Sequence, residues 1–125
     1  MILVDTSVWV DHLRAHDQGL HKLLEGGLVR THPFIIGEIA LGNLRQRNAV
    51  ISALRRLPRI AIATDDEVLF LVERHSLAGL GIGYVDTHLL ASTLLTPGTS
   101  LWTRDERLAR VAAELQVGFE TLPSA

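Results

Sequence analysis

Four acidic residues, Asp5, Glu38, Asp86 and Asp105, stand where a carboxylate has more to do than face water. Asp5 closes the apolar run Met1-Ile2-Leu3-Val4, and Asp105 comes soon after Leu101-Trp102. Glu38 has Phe34, Ile35, Leu41 and Gly42 as its neighbours at helical spacing, which sets it on or beside an apolar face. Asp86 heads the stripe Leu89, Leu90, Thr93 and Leu94. A carboxylate buried on such a face must be paired, protonated or bound to a cation. Four hard oxygen donors, with no cysteine and no histidine cluster, suit Mg²⁺ or Mn²⁺ better than zinc. An ion held by such acids lowers the pKa of a bound water, aligns it for in-line attack on phosphorus and stabilises the leaving oxygen. Phosphodiester hydrolysis is the chemistry this set implies.

Each acid also has a purely structural account. Asp5 would serve as a helix N-cap. Asp86 and Asp105, in first turns, would gain from the helix dipole. Glu38 would form a buried ion pair with an arginine. These accounts treat the acids one at a time, whereas their joint placement at strand ends and on flanking helices favours a shared metal.

The elements that must position them alternate along the chain. Apolar runs predict strands at Met1-Ile2-Leu3-Val4, 28–31, 59–62 and 100–102, with a short last strand over 117–122. Helices are expected over 7–14, 17–25 (stopped by Gly26-Gly27), 34–44, 48–57, from Asp65 to 77, over 84–95 and from Asp105 to 116. Thr64-Asp65-Asp66-Glu67 and Thr103-Arg104-Asp105-Glu106 both match a capping box. The alternation predicts an α/β fold, a single domain over residues 1–125 with a mostly parallel central sheet of four to five strands flanked by helices. Beyond the carboxyl ends of such strands is where ligands bind, which is where Asp5 falls.

Composition narrows the classes. The 125 residues are 47% hydrophobic with a mean hydropathy of +0.24, so a covered partner surface is expected. No apolar run approaches the roughly 18 residues of a membrane span, and Asp5 interrupts any signal-like start, so a cytoplasmic protein without membrane association is expected. The absence of cysteine excludes disulfides, thiolate zinc sites and cysteine nucleophiles. A net charge of −2 argues mildly against a passive nucleic-acid binder, though not against a nuclease whose acids offset basic contacts. The bases are eleven arginines and Lys22.

Four segments resemble the motifs of PIN-domain toxins of the VapC type. They are Asp5-Thr6-Ser7-Val8-Trp9-Val10-Asp11-His12, Pro33 to Ala40 around Glu38, Gly83 to Ala91 around Asp86, and Leu101 to Leu108 around Asp105. The resemblance spans essentially the whole chain, with the first and last motifs the most specific. It implies a compact α/β PIN fold and Mg²⁺-dependent endoribonuclease activity, with Mn²⁺ able to substitute and 5′-phosphate and 3′-hydroxyl ends left. It implies Asp5, Glu38, Asp86 and Asp105 as both metal-binding and catalytic residues, with Ser7 and Thr103 hydroxyls supporting them. It also implies RNA as substrate, a small cognate antitoxin covering the site, and a homodimer. The antitoxin is expected on the apolar face of residues 8–57.

Other groups carry less. His12 and His16 lie one turn apart without a third ligand in sequence. Arg45, Arg47, Arg55, Arg56 and Arg59 fit a solvated surface as well as an RNA contact. Arg14, Arg104 and Arg107 would pair with carboxylates or hold phosphate. Trp9 and Trp102 suit the core better than base stacking. Gly79, Gly81 and Gly83 lack the strand–loop–helix context of a phosphate loop, and His88 points away from Asp86 on its helix. Two rival functions stand: a non-catalytic module that keeps the fold for partner binding, and a phosphohydrolase or phospho-acceptor receiver. The second fits poorly, because Ser7 occupies the place of a second aspartate and Lys22 is the only lysine.

Overall fold

The computed structural model describes residues 1–120. In order, the elements are β1 (Ile2–Val4), α1 (Thr6–Arg14), α2 (Gln18–Glu25), β2 (Val29–Arg30), α3 (Pro33–Ala40), α4 (Arg47–Arg56), α5 (Asp65–Arg74), α6 (Tyr84–Leu95), β3 (Ser100–Trp102) and α7 (Glu106–Glu114). The sheet runs β2-β1-β3, all parallel, with Leu3 beside both Arg30 and Leu101. Parallel strands need crossover connections, which here are the helices. Because β1 is central, it is buried on both faces, as its unbroken Ile2-Leu3-Val4 requires.

Only three strands form, against the four to five expected. The segments at 59–62 and 117–122 each touch the sheet through a single parallel bridge, Thr31 to Arg59 and Leu101 to Gly118. The first stops because its partner ends: Ile60 N–H still donates to Thr31 O at 3.2 Å, but the partner chain turns into α3 at Pro33, and the amides on the segment's other edge go to helix α6. Ala61 N–H donates to Thr96 Oγ1 at 3.1 Å, and Ala63 N–H to Ser92 Oγ at 3.0 Å. Residues 121 and 122 of the second lie outside the described residues. Helix α3 also stops sooner than expected, at Ala40. The Arg47 guanidinium occupies the carbonyls of Ala40 and Gly42 just beyond it.

The core gathers Leu3, Val4 and Leu101 from the sheet with Val8, Ile35, Leu90 and Leu108 from the helices. Helix α6 runs through its middle, where Thr93 Oγ1 donates to Leu89 O at 2.7 Å. Trp9 and Trp102 are buried, in the core rather than free for bases. Not all apolar surface is covered, since Phe70 is 69% and Leu41 89% exposed.

Candidate metal centre

The chain leaves the sheet at Asp5. Its N–H makes the last strand-like bond, to Trp102 O at 2.9 Å, and its φ and ψ of −68° and 157° place it at the N-cap of α1. Its carboxylate nevertheless caps nothing, so the structural account of this residue fails. Instead Oδ2 accepts from two hydroxyls, Ser7 Oγ and Thr103 Oγ1, each at 2.8 Å. Each hydroxyl is aimed by a backbone amide: Arg104 N–H donates to Ser7 Oγ at 3.0 Å, and Asp105 N–H to Thr103 Oγ1 at 3.1 Å. Among the described residues no hydrogen bond reaches Oδ1. With only 5% of the residue exposed, a carboxylate so buried with one free oxygen is built for a cation.

Glu38 lies on α3 as expected, but it is exposed rather than buried, which corrects the reading of its apolar neighbours. The helix turns that position to the rim, where Thr6 Oγ1 donates to Glu38 Oε1 at 2.8 Å. Asp105 is the N-cap of α7, its Oδ1 accepting from Leu108 N–H at 2.9 Å. The expected cap at Thr103 is therefore two residues early, because the Thr103 hydroxyl is spent on Asp5. The other capping box, Thr64 with Glu67, forms in full.

Asp86, in the first turn of α6, ties the set together. Its carboxyl is pushed up to about 6, first by burial and then by the charges of Asp5, Asp105 and Glu38. The other three acids thus all act on Asp86 in the same direction. Mutual repulsion and partial burial are what a divalent cation relieves. Among the described residues no three histidine or acidic side chains form a ready-made cage.

Residues outside the four sort themselves by geometry. Arg104 bridges two carboxylates, Asp11 Oδ2 at 2.6 Å and Asp17 Oδ2 at 2.5 Å, and packs over Trp102. It joins the β3–α7 turn to α1 and to the N-cap of α2, so it pairs with acids rather than waiting for phosphate. Sequence reasoning missed Thr6 as the partner of Glu38; its place between Asp5 and Ser7 was the available signal. His21 from α2 comes within 4.9 Å of His16, ring to ring, and supplies the third imidazole the sequence lacked. Yet His12 Nδ1 accepts from Asp17 N–H, which leaves the ring proton on Nε2. Gly79 and Gly81 take positive φ in the loop before α6, and a Cβ on Gly81 would lie 2.8 Å from Arg107 Nη1.

A three-stranded parallel sheet flanked by helices, with acids following β1 and β3, defines an α/β class of protein. The family model of the PIN domain matches residues 2–114. Two proteins named Ribonuclease VapC32, from Mycobacterium tuberculosis strains CDC 1551 / Oshkosh and ATCC 25618 / H37Rv, are each 50% identical over 119 residues. The match covers 95% of this chain and 96% of each relative. The chain belongs to the PIN-domain family and, at that identity, to its VapC branch.

Proposed function

We propose that this chain is a Mg²⁺-dependent endoribonuclease, the toxin of a toxin–antitoxin pair, folded as one domain. Support comes from the VapC relatives and, above all, from the convergence of three carboxylate charges on Asp86. Asp5 through Oδ1, Asp86, Glu38 and Asp105 would hold the ion directly or through water. Mn²⁺ would substitute, since both ions take oxygen ligands. When bound, the ion supplies an activated water and neutralises charge at phosphorus. The chain's own part is to orient Asp5 through two hydroxyl donors, and to hold Asp86 half-buried, with its carboxyl pushed up to about 6 by burial and by the other three acids. Such a carboxyl can also accept a proton during water attack.

The test is cleavage of total RNA by purified, antitoxin-free protein with Mg²⁺. Asp5→Asn is expected to lose at least about 100-fold in rate, since even outer-shell partners of a metal cost 10–100-fold. Cleavage equal to the parent protein would end the metal-site assignment.

The partner reading follows the same surface. Val10, Leu13, Ile39 and Leu44 line a groove between α1, α3 and the loop that follows α3, with Glu38 in its wall. An antitoxin seated there reaches the centre. Hydrogen exchange of the pair should protect residues 8–57; protection confined to 110–120 would overturn this. The exposed apolar residues Leu69, Phe70 and Leu95 of α5 and α6 support a homodimer, read out by light scattering. Among the described residues no helix is long and apolar enough to cross a membrane, and we place the protein in the cytoplasm.

A further inference from the structure

Two exposed aromatic rings sit in the first turns of the two helices that carry Glu38 and Asp86. Phe34, in the first turn of α3, is 38% exposed, and Tyr84, the first residue of α6, is 51% exposed. Phe34 lies one helical turn before Glu38, and Tyr84 two residues before Asp86. Neither ring is loose. The buried His88 braces both, 4.9 Å from Phe34 at 68° and 4.8 Å from Tyr84 at 90°. His32, fully buried, holds Phe34 from another side at 5.0 Å. Tyr84 Oη donates to Asp65 Oδ1 at 3.0 Å, and His88 Nε2 lies 3.1 Å from that same oxygen.

An aromatic ring fixed in orientation yet left in water has its ordering cost met before any ligand arrives. The protein carries a net −2 and four clustered acids, so it gains little from general attraction to phosphate. A hold independent of charge is what this surface offers. Base stacking supplies one, because every base has a π-face. Unpaired bases are available in single strands and loops, not within duplexes.

We propose that Phe34 and Tyr84, braced by His88, form a stacking subsite for unpaired bases of the RNA, next to the acidic centre. The proposal rests on the ribonuclease reading above. A second copy of this chain is the competing occupant.

The test uses a single-stranded oligoribonucleotide carrying 2-aminopurine, whose fluorescence falls on stacking. Binding is read in EDTA so that the RNA stays whole, and cleavage is then followed with Mg²⁺. Quenching is expected with the parent protein and is lost in Phe34→Ala and Tyr84→Ala. Each of these variants should raise KM about ten-fold with kcat within about two-fold, in line with the loss of one stacked base. Tyr84→Phe should match the parent, whereas Phe34→Leu should behave as Phe34→Ala, because its bulk is apolar but not aromatic. The proposal falls if the parent protein does not quench, or if Phe34→Leu is as good as the parent. It falls too if the alanine variants turn a dimer into a monomer without changing KM. Cleavage with unchanged KM in all variants would sink the subsite and leave the ribonuclease reading standing; no cleavage by the parent protein would sink that reading itself.

Discussion

Thr103 Oγ1 donates to Asp5 Oδ2 at 2.8 Å across 98 residues of sequence. With Ser7 on the same oxygen, it leaves Oδ1 as the face of Asp5 turned toward a cation. Hydroxyl donors of this kind orient a ligand carboxylate.

Thr103→Val keeps the shape of the side chain and removes the donor. We expect Mn²⁺ affinity to fall about ten-fold, and about 100-fold when Ser7→Ala is added. Calorimetric titration of the single and double variants measures this. Unchanged affinity in the double variant would show that the hydroxyls serve only the fold.

Asp86 has a folded pKa of about 6 against an ordinary 3.8. A raised carboxyl pKa means that the ionised form is disfavoured in the fold. The cost is absent below pH 3.8, grows as pH rises to about 6 and stays constant above. Asp86→Asn should therefore stabilise the ion-free protein at pH 7.5, by about 1 kcal/mol after allowance for partial exposure. The gain should vanish toward pH 4, while added Mg²⁺ should stabilise the parent protein and not the variant. Denaturant titrations at the two pH values decide it.

His32 runs the other way. Burial, then the charges of His88 and Arg59, lower its pKa to about 4. Its Nδ1 accepts from Phe34 N–H at 3.0 Å and caps α3, so the neutral ring carries its proton on a buried Nε2 without a partner. A depressed histidine pKa leaves stability intact above the ordinary 6.5 and removes it as pH falls toward 4, by up to about 3 kcal/mol. His32→Asn keeps a side chain able to cap. It should be less stable at pH 7 but lose less between pH 6.5 and 4. A slope equal to the parent's would refute the assignment to this ring.

Arg104 is expected to matter beyond its modest value as a surface ion pair. Its backbone amide aims Ser7, while its guanidinium fixes the turn against Asp11 and Asp17. Arg104→Ala should weaken Mn²⁺ binding several-fold, with Arg104→Lys recovering part of it. A lowered melting temperature with intact Mn²⁺ affinity would reduce Arg104 to a structural tie.

Much of this was legible in the sequence for physical reasons. The run of helix over 84–95, dense in apolar residues, had to be central, and Asp86 at its head had to meet whatever the strand ends carried. Asp5 and Asp105 announced themselves by following apolar strands. Glu38 was harder, because periodicity tells which face a residue shares, not whether a neighbour covers that face's edge. The segment 59–62 has strand-like residues, but its ladder ends where its partner turns into α3 at Pro33, and its other edge is taken by Thr96, 35 residues from Ala61, and Ser92, 29 residues from Ala63. At Thr103 the cap pattern fits two registers, and only the demand of Asp5 for a donor chooses between them.

The central position of β1 bears on when the protein becomes active. Its first residues are made at once, yet one of their two strand neighbours, β3, and the Thr103 donor are made about a hundred residues later. Until that stretch leaves the ribosome, Asp5 has half its support and Asp105 is absent. The surroundings of Asp5 are therefore completed only by the late part of the chain, and an early fragment lacks both β3 and the Thr103 hydroxyl.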